Sequence, residues 1–197
     1  MNRERLIYLA RHPKYTLRRL GYFVYERLHP GEPWIAQDAV AFCDRNLDRT
    51  MRGLETGSGR STAWFAKRLK HLTSVEHDRA WYEKVEKRIR HLENIDYRYV
   101  PLDHPEGEPT RAEYEQTPRY VAVFDEFDDA SLDFVVVDGH YRQACVRAAL
   151  SKLRSGGLLL VDNSNWLSRE AWGVPSSYDA VHKSENVMSE TSIWAKR

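Results

Sequence analysis

Residues Gly53–Leu69 read GLETGSGRSTAWFAKRL. Gly57 and Gly59 fall among Thr56, Ser58, Ser61 and Thr62, and a helix-like run expected over residues 60–70 follows. Ahead of them, residues 51–55 read as a short strand, weakly apolar because Arg52 and Gly53 interrupt it. A strand, a bare turn and a helix in that order expose backbone where a ligand can approach without meeting a side chain. A phosphate, a ribose or a cofactor backbone are the usual occupants of such a turn. The rest of the chain has to decide among them.

Outward from the turn the pattern alternates. LTSVEHD (72–78) reads as a strand ending in acid, followed by a charged helix over 79–93 and a strand at YRYVPLD (97–103). After a polar loop with Pro105, Gly107 and Pro109, SLDFVVVDG (131–139) is the clearest buried strand. A helix over 141–153 leads through Ser-Gly-Gly to LLLVDN (158–163), and ETSIWAK (190–196) alternates as a strand does. Upstream, IAQDAVAFCDRNL (35–47) sets Ile35, Ala39, Val40, Phe42 and Cys43 on a helix face. Strands separated by helices predict a doubly wound α/β fold, a mostly parallel sheet flanked by helices. Residues 1–30 read as two short amphipathic helices interrupted at Pro13. The expected division is a helical extension over 1–34 and one domain over 35–197. The extension is expected to cap the domain in preference to lying on a membrane surface as a peripheral contact.

The 197 residues suit one domain with a full core. Thirty Lys/Arg against 29 Asp/Glu leave a net charge of +1, so nothing global argues for nucleic acid. The charge is uneven: seven Lys/Arg oppose Glu4 and Glu26 in residues 1–30, whereas residues 103–133 are acidic. Cys43 and Cys145 stand far apart, neither a disulfide framework nor a zinc spacing. No long apolar run suggests a signal peptide or membrane span, so a cytoplasmic protein is expected.

Three ligands compete for the turn. A phosphate-cradling loop needs Gly-Lys-Ser/Thr four residues after a first glycine; here Leu54 and Arg60 stand at those positions. A nicotinamide dinucleotide turn ends in Gly or Ala, where this chain has Thr62, and a leading acid such as Glu55 repels a pyrophosphate. S-adenosylmethionine carries no phosphate and bears cationic ammonium and sulfonium groups, which an acid favours. Glu76 ends the next strand 21 residues after Glu55, the spacing at which a carboxylate reaches a ribose diol.

LETGSGRST with SVEHD resembles the nucleotide-binding half of class I S-adenosylmethionine-dependent methyltransferases, in the variant with Ser-Thr in place of the third glycine. The resemblance continues through DFVVVDGHYRQACVRAALSKLRSGGLLLVDNSNW and covers roughly residues 50–166. It implies a Rossmann-like sheet, and cofactor contacts from Glu55, Gly57, Ser58, Gly59, Ser61 and Thr62 around the methionine part. It also implies Glu76 on the ribose hydroxyls, His77 and Asp78 along the adenosine, and Asp103 near the adenine amine. Asp138 joins the cofactor set.

Asp138 ends one strand and Asp162-Asn163 the next, so their oxygens converge at one rim. Such a set suits Mg²⁺ or another divalent cation; alternatively Asp138 bonds the cofactor and Asp162-Asn163 caps a turn. The chain is similar here to catechol and caffeoyl-coenzyme A O-methyltransferases, whose Asp and Asp-Asn strand ends bind a divalent ion. Their lysine after the first Asp is missing from DGHYRQ, and His140 is the stand-in as catalytic base beside Asp138. Trp166, Trp172 and Tyr178 are expected to shape an acceptor pocket; alternatively Trp166 and Trp172 bury against the last helix. Arg142 either meets an anionic acceptor or serves its own helix. The expected activity is methyl transfer to a small-molecule acceptor, at oxygen in preference. A nicotinamide-dependent oxidoreductase and a non-catalytic cofactor-binding protein are the alternatives.

Overall fold

The computed structural model describes residues 11–104 and 110–197. Seven strands form one sheet in the order β3-β2-β1-β4-β5-β7-β6. These are β1 (Arg52–Thr56), β2 (His71–Glu76), β3 (Ile95–Tyr99), β4 (Leu132–Val137), β5 (Leu153–Asp162), β6 (Tyr178–Glu185) and β7 (Glu190–Lys196). β1 to β5 pair in parallel, and β7 runs antiparallel to both β5 and β6. The helices are α1 (Pro13–Leu28), α2 (Gln37–Asn46), α3 (Arg60–Ala66), α4 (Arg79–Ile89) and α5 (Arg142–Lys152), with single helical turns at Arg119–Ala122 and Arg169–Trp172. The expected doubly wound, mostly parallel sheet is observed.

The central strands read as continuous apolar runs because both faces are covered. On one face Val135, Val137, Leu159 and Val161 pack with Cys145, Val146 and Ala149 of α5. On the other, Phe134, Val136 and Leu160 pack with Ala39, Val40 and Cys43 of α2 and Phe65 of α3. Both cysteines are buried and unpaired, and burial pushes each thiol up to about 12.

Trp172 and Tyr178 belong to the core instead of an acceptor pocket; Trp172 donates to the Ser164 carbonyl and Tyr178 to that of Leu150. Tyr178 also opens β6, a strand hidden in the sequence because its outer face is solvated at the sheet edge. Pro13 begins α1, where a first-turn position needs no N–H. The expected helix before it lies largely outside the described residues.

The chain runs outward from β1 to β3, then crosses back to β4 on the other side of β1. That reversal puts the topological switch point beside the glycine turn, where open α/β sheets bind ligands.

Candidate functional site

The turn after β1 is fixed from inside. Gly57 has φ +92°, and a Cβ there would lie 2.5 Å from the Gly139 nitrogen. Its glycine is therefore demanded by the backbone after β4. Gly59 differs, because a Cβ there would meet nothing closer than Ser61 Oγ at 3.8 Å. The register opposes Glu55 to Ser74. The fully buried Glu55 carboxylate accepts from Ser74 Oγ (2.6 Å), Thr62 Oγ1 (2.7 Å) and the Ser61 hydroxyl. Burial raises its pKa against those three hydrogen bonds. Glu55, Ser61 and Thr62, expected around the cofactor, are thus brought together to staple the turn to β2, and the Glu55 carboxylate is spent on that task.

A cavity of about 660 Å³ opens at the strand ends, with Gly57, Ser58, Glu76, His77, Asp138 and His140 in its wall. Glu76 accepts from Ser58 N–H (3.1 Å) and Oγ (2.9 Å) and from the His77 (2.8 Å) and Asp78 (2.9 Å) amides. Its Oε1 also lies 3.0 Å from His77 Nδ1. Burial pushes this carboxyl up, but the contacts from His77, Asp78 and Ser58 outweigh it and hold the pKa below the ordinary value. Asp78 lines the cavity and also caps α4 by accepting from the Trp81 amide at 2.7 Å. The His77 and His140 rings lie 4.1 Å apart.

A wall residue, Trp81, and a residue behind the wall, Tyr97, were not singled out from the sequence. Trp81 donates its indole N–H to the Ser58 carbonyl at 2.8 Å, and Tyr97 Oη lies 2.7 Å from Ser58 Oγ. The aromatic content of WYEK beside the acid of β2 was the available signal for Trp81. Asp103 is not brought here. The strand ends at Tyr99, and the Asp103 carboxylate takes the Arg119 amide and Nε, both at 2.6 Å, along a separate cavity.

The proposed metal rim is filled by Arg142. Its guanidinium donates to the Gly139 carbonyl (2.9 Å), the Asp162 carbonyl (2.6 Å), Asn163 Oδ1 (2.8 Å), and the Asp138 carbonyl (2.8 Å) and Oδ1 (2.9 Å). Those contacts use all five guanidinium N–H groups. The Asp162 side chain instead turns to Thr191, accepting its hydroxyl at 2.7 Å. A divalent ion needs several oxygens at 2.0–2.6 Å, and here a fixed cation already occupies their point of convergence. Among the described residues no three His, Cys, Asp or Glu side chains could hold a metal ion. In this arrangement Asp138 Oδ1 and Asn163 Oδ1 serve the guanidinium, and the Asp162 carboxylate serves Thr191. Arg142 is likewise buried structure, stacked 4.7 Å from the half-exposed Trp166 ring. Burial raises Asp138 above the usual carboxylate range, with Asp162 adding to the shift and Arg142 opposing it.

Sheet order, a glycine turn at the switch point and an acid ending β2 together define a class I S-adenosylmethionine-dependent methyltransferase. The family described as methyltransferase domain matches residues 54–164, and the chain belongs to that family. No curated protein matches the chain by sequence. Solved structures share its fold at low identity. SMU.1697c of Streptococcus mutans, solved in complex with SAH, is 10% identical with a TM-score of 0.58 over 80% of this chain and 94% of that one. An rRNA methylase of Streptococcus thermophilus is 13% identical, TM-score 0.58, over 79% and 92%. A predicted O-methyltransferase, Atu636 of Agrobacterium tumefaciens, is 17% identical, TM-score 0.51, over 77% and 76%.

Proposed function

We propose that this methyltransferase binds S-adenosylmethionine in the cavity beside the glycine turn and methylates a hydroxyl of a small acceptor without a divalent metal. The observation that carries the reading is a pair of acids, Glu76 and Asp138, in the wall of one cavity beside Gly57 and Gly139. Such a wall matches a ligand with a diol at one end and positive charge at the other, and it disfavours a pyrophosphate.

Glu76 accepts the ribose hydroxyls, which take over the place of Ser58 Oγ. His77, Asp78 and Trp81 flank the adenosine, and Asp138 faces the cationic end. When bound, S-adenosylmethionine supplies a methyl group on a positively charged sulfur. The acceptor oxygen forms its bond to that carbon as the carbon–sulfur bond breaks, and its pair stays on sulfur. The protein's contribution is in-line alignment and removal of the hydroxyl proton. His140, in the cavity wall, takes that proton. Arg142, in the wall of the same cavity, supplies positive charge at the strand ends and organises Asp138.

Parallel titration with S-adenosylmethionine and NAD tests the reading. Saturable binding of the former with little of the latter supports it; preferential NAD binding contradicts it.

A further inference from the structure

We propose that α1 docks this protein on an anionic lipid surface. The helix is amphipathic in the inverted sense for a packed element. Its inward stripe is polar: Arg19, Tyr22 and Glu26 are partly buried, and Glu26 lies 3.9 Å from Arg60 at the glycine turn. Leu17, Leu20, Val24 and Leu28 form the opposite stripe at helical spacing, each between 49% and 71% exposed. A helix packed as an ordinary cap turns its leucines inward; this one turns them out.

Continuity and charge identify what covers the stripe. Phe23, half exposed on the same helix, lines a groove on the inward side with Arg19, Tyr22, Glu26 and exposed Trp34 and Met188, so exposed apolar groups flank α1 there as well. Exposed Lys14 and Arg18 border the stripe on one side and exposed Arg27 on the other. Over residues 11–28, Arg11, Lys14, Arg18, Arg19 and Arg27 oppose Glu26 alone. An apolar stripe edged by cations, with an aromatic ring beside it, is the pattern of a helix lying in a lipid headgroup layer. A second copy pairing through the same face would bring like charges together, whereas an anionic lipid surface attracts them.

The surface is coupled to the cavity. Trp34 stacks on Trp81, whose indole holds the Ser58 carbonyl, with ring centroids 6.3 Å apart. Tyr22 and Glu26, on the inward stripe, are partly buried, and the Glu26–Arg60 pair at 3.9 Å places α1 over the rim at the glycine turn. A docked protein thus presents that rim beside the lipid.

The test is cosedimentation of the full chain with vesicles of phosphatidylcholine, with and without phosphatidylserine. A triple variant, Leu17→Ser with Leu20→Ser and Val24→Ser, is compared after its melting temperature and S-adenosylmethionine affinity are shown to match the parent. The expected result is binding to the anionic vesicles, weaker by about tenfold or more on neutral vesicles and in the triple variant. Absence of binding at low salt overturns the proposal, as does full binding by the triple variant. Self-association without vesicles that the triple variant abolishes would assign the face to a second copy and overturn it as well.

Discussion

Glu76 and Asp138 share a cavity but stand in opposite electrostatic states. Hydrogen bonds from His77, Asp78 and Ser58 keep Glu76 ionised despite burial. Glu76→Ala should weaken S-adenosylmethionine binding by about 1.5–3 kcal/mol, the range for hydrogen bonds to charged groups. Calorimetric titration of a variant with parental melting behaviour checks this. Asp138, raised by burial, holds its proton above the ordinary carboxylate range. A cationic ligand favours its ionised form, so binding releases a proton and tightens as pH rises above that range. Asp138→Asn should flatten the dependence; an identical pH profile would remove Asp138 from the cofactor's charged end. In the free protein the same shift has the opposite sense. The folded state retains a proton that the unfolded chain gives up, so this group's contribution to stability falls as pH rises from the unfolded pKa through the folded one.

The turn between β1 and α3 and the rim joining β4 to β5 show how far elements were legible. The turn itself, Glu76 and the buried strands were readable because each local pattern has one common structural solution. Two other features were not. Gly57 looked like a ligand-facing glycine, yet its constraint comes from Gly139, distant in sequence. Gly57→Val should therefore exceed the about 1–3 kcal/mol of ordinary overpacking, and each kcal/mol lowers the melting temperature by about 2–4 °C in a chain of this length. Gly59→Ala has open space and should melt as the parent does. Thermal denaturation of both variants separates the two glycines. Arg142 sits four residues after Asp138 at the start of α5, a spacing that allows an ion pair, but sequence could not reveal that the guanidinium would reach both strand ends. Arg142→Ala leaves the Gly139, Asp138 and Asp162 carbonyls and Asn163 Oδ1 without their donor, at about 1–3 kcal/mol for each acceptor that stays buried. Arg142→Lys should recover only part of it, since an ammonium lacks the planar fork. Equilibrium denaturation measures both.

Over the whole molecule, the fold was more legible than the surface it presents. Alternating strands and helices specify the sheet because both of its faces must be buried, and the core clusters bear out that logic. The direction in which α1 turns its stripes depends on ion pairs such as Glu26–Arg60, which helical periodicity does not encode. Among the described residues no helix is long and apolar enough to cross a membrane. At the strand ends the molecule joins a cofactor cavity to a cation of its own. The most direct measurement is S-adenosylmethionine titration of the chelator-dialysed protein, followed by the same titration with Mg²⁺ added. Saturable binding that Mg²⁺ leaves unchanged is the predicted result; failure to bind until Mg²⁺ is restored would contradict it.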